Sequence, residues 1–158
     1  MGGPDLDEID RAILHALQKD ARNNTNAAIS ERVSVSASTV GKRISHLEES
    51  GIIKGHRSKI DYEAAGLPIR VLFICTANIA ERETLIQDAL DLTGVINIRE
   101  LMTGTNNVHI EAVGSSYDDI TRIAHALDEM GYTVSDEIMM RAEYDRPSVH
   151  FDGASGRD

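Results

Sequence analysis

Apolar side chains at Leu6, Ile9, Ile13 and Leu17, with Ala16 beside them, recur at the three-to-four spacing of an amphipathic helix. Asp5 followed by Glu8 has the spacing of a capping box, so a first helix is expected over residues 6–22. Asn23, Asn24 and Thr25 interrupt it and cap a short second helix that ends near Val33. A turn at 34–36 follows, then a third helix from an N-cap at Ser36 to Gly51, which suits the left-handed C′ position. With Ser38 at zero and about 100° per residue, Val40, Ile44 and Leu47 gather at about 180–240°. Ser38, Thr39, Lys42, Arg43 and His46 spread over about 0–140° on the opposite side.

Most polar helix faces are merely solvated. Two features argue for more here. Hydroxyls, two cations and an imidazole in the first three turns are the groups that meet phosphates and base edges. The preceding helix carries Ala27 and Ala28, small enough for the close crossing of a helix-turn-helix pair. Beyond Gly51, IIKGHRSKID alternates weakly, either as a strand or wing turning at Gly55 or as a solvated connector; Lys54, His56, Arg57 and Lys59 lie on it.

The periodicity changes after YEAAGLP. Residues 69–77 are apolar on both alternations and read as a strand covered on both faces. A helix with Leu85, Ile86, Ala89 and Leu90 inward follows, then a strand at 95–103, a turn at GTNN and a strand at 108–114. A helix burying Ile120, Ile123, Ala124 and Leu127 and a strand at 134–144 complete the order βαββαβ. Such a sheet carries helices on one face only, so a second subunit is expected over the other. The expected class is α+β: a (winged) helix-turn-helix domain over 1–61, a linker at 62–68, a ferredoxin-like βαββαβ domain at 69–146, and a flexible tail at 147–158.

Charge sharpens that division. Residues 1–61 hold 9 basic and 9 acidic side chains, and residues 62–158 hold 7 and 17, so the net charge of −10 lies in the second part. The basic residues of 22–59 outnumber the acidic ones, which puts positive charge where a nucleic acid would sit. Only 4 of the 16 basic residues are lysine, a composition suited to solubility in concentrated salt. The longest uninterrupted apolar run, 71–75, is too short for a bilayer, no secretory leader opens the chain, and the myristoylation pattern fails at Leu6. A cytoplasmic protein without membrane partners is expected. The single cysteine, Cys75, reads as a small buried hydrophobe.

The whole order, and in particular LDEIDRAILHALQKDAR, STVGKRISHLEESGIIKG and the turn TGTNN at 103–107, resembles the leucine-responsive regulatory protein (Lrp/AsnC) family of transcription regulators. The resemblance spans residues 5–146. It implies a homodimer or higher homo-oligomer built through the βαββαβ domain, double-stranded DNA as partner, no resident cofactor, and a small effector, commonly an amino acid, bound at subunit interfaces near the TG turn. Carried onto this chain, DNA contacts fall on Ser36, Ser38, Thr39, Lys42, Arg43, His46, Lys54, Arg57 and Lys59. The effector positions are Thr103, Gly104, Thr105, Asn106 and Asn107. Many family members have aspartate where this chain has Asn107, and an amide offers an effector's ammonium no opposite charge. Asn106 and Asn107 alternatively shape a hairpin turn, since asparagine tolerates positive φ.

His109 and Glu111, two apart on one strand face, lack an evident third metal ligand and read better as a hydrogen-bonded surface pair. His125 is expected on an exposed helix face. Other readings stay open: an architectural DNA-compacting protein without sequence preference, an effector sensor acting through other subunits, and an enzyme resembling the sirohaem decarboxylases, for which no catalytic histidine pocket can be assigned. A sequence-specific regulator is the reading that the helix-turn-helix supports best, with no catalytic residues expected.

Overall fold

A computed structural model describes residues 5–152, so the myristoylation pattern at the start and the last stretch of the expected tail, 153–158, lie outside the described residues. The first helix, α1 (Glu8–Lys19), is capped two residues later than expected. Asp7, not Asp5, accepts from the Asp10 amide at 2.8 Å, and Asp10 returns the bond to the Asp7 amide. The start contains Asp5, Asp7, Glu8 and Asp10, so two overlapping boxes are spelled there, and the one that leaves Leu6 ahead of the cap is used. Thr25 caps α2 (Asn26–Val33) by accepting from the Ala28 amide. Ser34 then turns the chain in the left-handed region at φ 57°, and Ser36 caps α3 (Ala37–Glu49). Ile13, Leu14, Ala16, Ile29, Val40 and Leu47 form the buried core of these three helices. Residues 54–60 run exposed and outside any strand of the single chain, so the wing expected around Gly55 is not a regular element here.

The second part is a sheet with strand order β2-β3-β1-β4, all pairs antiparallel: β1 (Ile69–Thr76), β2 (Val95–Glu100), β3 (Val108–Gly114) and β4 (Thr133–Met139). Two helices, α4 (Arg82–Leu90) and α5 (Tyr117–Met130), complete the βαββαβ order. Val71, Phe73 and Cys75 of β1 register with Ala112, Ile110 and Val108 of β3. All six are buried in one cluster with Ala89, Ile120, Ile123 and Leu127 of the helices, which places the helices on that face. Gly94, at φ 104° before β2, is required by its position: a Cβ there would lie 2.8 Å from the Val113 carbonyl oxygen.

The contact pattern divides the chain into two units: one runs to Ser58 and resumes at Tyr144, and the other is Lys59–Glu143. The 62–68 stretch therefore belongs with the sheet unit, in which Asp61 accepts from the Ala64 and Ala65 amides and starts a hydrogen-bonded turn. The expectation of a flexible tail from 147 needs correction. Val149–Phe151 is a 3-10 helix capped by Ser148, and Phe151 packs against the three-helix core. The segment is polar in sequence, and its one ring finds a place only through contacts with distant residues.

Candidate nucleic-acid interface and effector turn

The recognition face is set by what α3 buries. Val40 and Leu47 are fully enclosed and Ile44 packs beside them. Gly41 sits where a Cβ would come within 2.9 Å of Asn26 Nδ2, so the residue lets α2 approach α3 closely. The exposed positions that remain are Ser38, Lys42, Ser45, His46, Glu48 and Glu49. They occupy an arc of about 280° to 80° on the Ser38-zero wheel, rotated from the expected one. Thr39 and Arg43, at the far edge of the expected arc, are half-buried. Ser45 was missed because only positions on one side of Ser38 were counted; its hydroxyl donates to the Gly41 carbonyl at 3.1 Å.

Arg43 does not point outward as a spare cation. Its Nη1 lies 2.5 Å from an Asp7 carboxylate oxygen and 3.0 Å from one of Asp10, tying α3 to the cap of α1. Hydrogen bonding to Asp7, then to Asp10, raises the guanidinium pKa further above its usual value. The Asp7 carboxyl is held below the usual range, first by the Asp10 amide and then by Arg43. With two carboxylates on it, Arg43 links α3 to the cap of α1 and is not an unpaired cation. Ser36 is likewise engaged: its hydroxyl accepts from the Thr39 amide at 3.1 Å and lies 2.8 Å from Thr39 Oγ1 and 3.1 Å from Ser38 Oγ. Lys42, His46, Lys54 and Arg57 are exposed in this unit. Lys59, also exposed, falls in the sheet unit.

The turn at 103–107 divides in two. Thr103, Gly104 and Thr105 are exposed, whereas Asn107 is 0% exposed. The Asn107 side chain accepts from the Ala77 amide at 2.8 Å and donates to the Ala77 carbonyl at 2.9 Å. Both functions of the amide are satisfied at Ala77, just past the end of β1, so Asn107 pins the turn to that strand end. Asn106 adopts φ 51°, its amide donates to Thr76 Oγ1 at 2.8 Å, and its Oδ1 accepts from the Ser135 hydroxyl at 2.7 Å. Its role, too, is in the turn. Nearby, a groove of about 410 Å³ lined by Ile79, Arg82, Ile86 and Gln87 is flanked by an Arg82–Glu100 ion pair at 2.6 Å.

Glu111 departs from the expected surface pair with His109. It is 1% exposed and bonded to Arg70 Nε, and Arg70 Nη2 also reaches Glu143 at 2.5 Å. Bonding to Glu111 first, and to Glu143, raises the Arg70 pKa despite the opposing effect of burial. His109 is half-buried, opposite Ile74 and Arg99 on the neighbouring strands. Among the described residues no three His, Cys, Asp or Glu side chains gather as a metal site, and no helix is long and apolar enough to cross a membrane.

The winged helix-turn-helix DNA-binding family matches residues 6–54. An uncharacterized HTH-type transcriptional regulator of Pyrococcus abyssi is 30% identical over 117 residues, 74% of this chain and 73% of that protein. The leucine-responsive regulatory protein of Rhizobium meliloti is 44% identical over 62 residues, so the match spans only 39% of that relative's length and 39% of this chain. Among solved structures, the complex of a transcriptional regulator from Neisseria meningitidis with L-Met has a TM-score of 0.76 at 22% identity, covering 91% of this chain and 95% of that one. At that identity the likeness is one of fold.

Proposed function

Because the chain belongs to the Lrp/AsnC family of helix-turn-helix transcription regulators, we propose that it reads specific duplex DNA with α3 as a dimer or larger assembly. The observation that carries this reading is the exposed stripe Ser38, Lys42 and His46 on a helix whose opposite side is locked into a core. Ser38 and Lys42 lie toward the start of α3, where amide dipoles favour phosphate and side chains reach base edges. Thr39 adds a hydroxyl at the rim, Ser36 holds the helix start, and Lys54, Arg57 and Lys59 supply cations for the phosphate backbone.

A second copy over the helix-free face of the sheet is part of the proposal. Leu72 and Ile74 alternate with the buried core residues of β1 and are only half-buried, and Ile138 beside them on β4 is 47% exposed. An apolar strip of that kind is what an isologous interface covers. Two recognition helices per dimer call for a near-palindromic target with half-sites about one helical turn, or a multiple, apart. A small effector is the further element, supported by the L-Met complex of the Neisseria neighbour. Here its contacts on the turn would come from Thr103, Gly104 and Thr105, since Asn107 is engaged with Ala77.

Selection of bound sequences from random duplex DNA, with and without a panel of amino acids, tests the proposal. A near-palindromic consensus is expected. Binding without any consensus would favour an architectural DNA-compacting role, and no binding at any salt concentration would overturn the reading. Lys42→Ala should weaken binding to all sequences alike and reduce the slope of affinity against salt by about one.

A further inference from the structure

The chain leaves the sheet unit at Glu143, and residues 148–151 contact α1 and its core. The Ser148 amide donates to Gln18 Oε1 at 3.1 Å, and Arg11 Nη1 donates to the His150 carbonyl at 3.4 Å. Arg11 and Gln18 stand two turns apart on one face of α1. Phe151 packs against the core that Ile13 and Leu14 of the same helix help to build. The attachment has its own local order, because Ser148 Oγ accepts from the His150 amide at 3.3 Å and caps the 3-10 helix. The other end is held as firmly: the Met140 amide donates to the Arg70 carbonyl at 2.8 Å, and Glu143 is ion-paired with Arg70. Only the four residues from Tyr144 to Pro147 separate the two anchorages.

We propose that residues 144–152 are a strap that keeps α1, and through the Arg43–Asp7–Asp10 link the recognition helix, in the DNA-reading arrangement. Its release loosens the N-terminal unit and weakens DNA binding. The physical basis is the size of the core: only six of the described residues are buried in it, so one ring added at the rim is a large share of its apolar contacts. The strap's hold on α1 stands without the DNA-binding reading; its effect on affinity rests on that reading.

The test uses the full chain, unaltered or carrying Phe151→Ala, Phe151→Leu or Gln18→Ala. Amide hydrogen exchange is read separately in α1, α3 and α5, and affinity is measured for a selected duplex. With Phe151→Ala, exchange in α1 and α3 should quicken about tenfold, the scale set by deleting a partly buried aromatic ring, while α5 is unchanged. Affinity should fall several-fold. Phe151→Leu should recover most of both effects, and Gln18→Ala should give a smaller change of the same pattern. Unchanged exchange in α1, or equal loss with alanine and leucine, overturns the strap. Faster exchange with unaltered affinity overturns the relay to α3. An unaltered protein that ignores DNA refutes the proposed function, while exchange still decides the strap.

Discussion

Asn107→Ala separates a binding residue from a structural one. The wild-type amide satisfies both the N–H and the C=O of Ala77, at 2.8 and 2.9 Å, in a site with 0% exposure. Alanine removes both partners at once. Each buried backbone group left unsatisfied costs about 1–3 kcal/mol, and the site lies close enough to the exposed turn for water to relieve part of the loss. The expected destabilisation of the sheet unit is about 3 kcal/mol, a shift of more than a hundredfold in its unfolding equilibrium. Asn107→Asp keeps the bond from the Ala77 amide and loses the donation to its carbonyl. The ionised carboxyl is then buried against that carbonyl oxygen, so the variant should be at least as destabilised as alanine at neutral pH and recover toward wild type as acid protonates it, because the protonated form donates again. Urea unfolding at several pH values, with exchange on β3 as a local probe, measures both. A loss below about 1 kcal/mol for Asn107→Ala would refute the assignment. So would an alanine variant that is stable but no longer responds to an effector that wild type binds.

Arg43→Ala should cost about 1 kcal/mol, with most of that recovered as coupling in a double-mutant cycle with Asp7→Asn. Its salt slope of DNA binding should match wild type; a slope reduced as much as in Lys42→Ala would return Arg43 to the contact surface. The lowered pKa of Asp7 adds stability that is fully present above its unfolded value of 3.8 and is lost as pH falls through the lower folded value. Protection of α1 amides should therefore be level above about pH 5 and decline below about pH 4, and Asp7→Asn should flatten that profile. Burial pushes the Cys75 thiol up to about 12, so thiol reagents at pH 8 should label it only as fast as the sheet unit opens. Immediate stoichiometric labelling would contradict its place in the core.

The elements that were most legible carry a single period. The apolar positions of α1 and α5 and the alternation in β3 leave little freedom, and the observed strand order follows from βαββαβ. What was not legible depended on partners distant in sequence. Arg43 looks identical to Lys42 on a helical wheel, and only the neighbouring aspartates of α1 distinguish them. Asn107 sits in a turn-forming dipeptide, where a polar side chain suggests exposure; its burial comes from the peptide at Ala77, 30 residues earlier. Glu111 alternates like a surface residue, but its face is closed by Arg70 and Glu143. Phe151 is a lone ring in a stretch rich in Pro, Gly and Ser, which composition alone assigns to a mobile end. A propensity or a period reports the chain's local preference, and each of these four is fixed by a long-range pairing.

A helical head closed by Phe151 has a bearing on the order in which the protein is made. Synthesis runs from the amino end, and the sheet unit is complete once Glu143 has emerged, whereas the head still lacks the ring that seals its core. The half proposed to join copies is thereby ready to fold while the half proposed to grip DNA is unfinished.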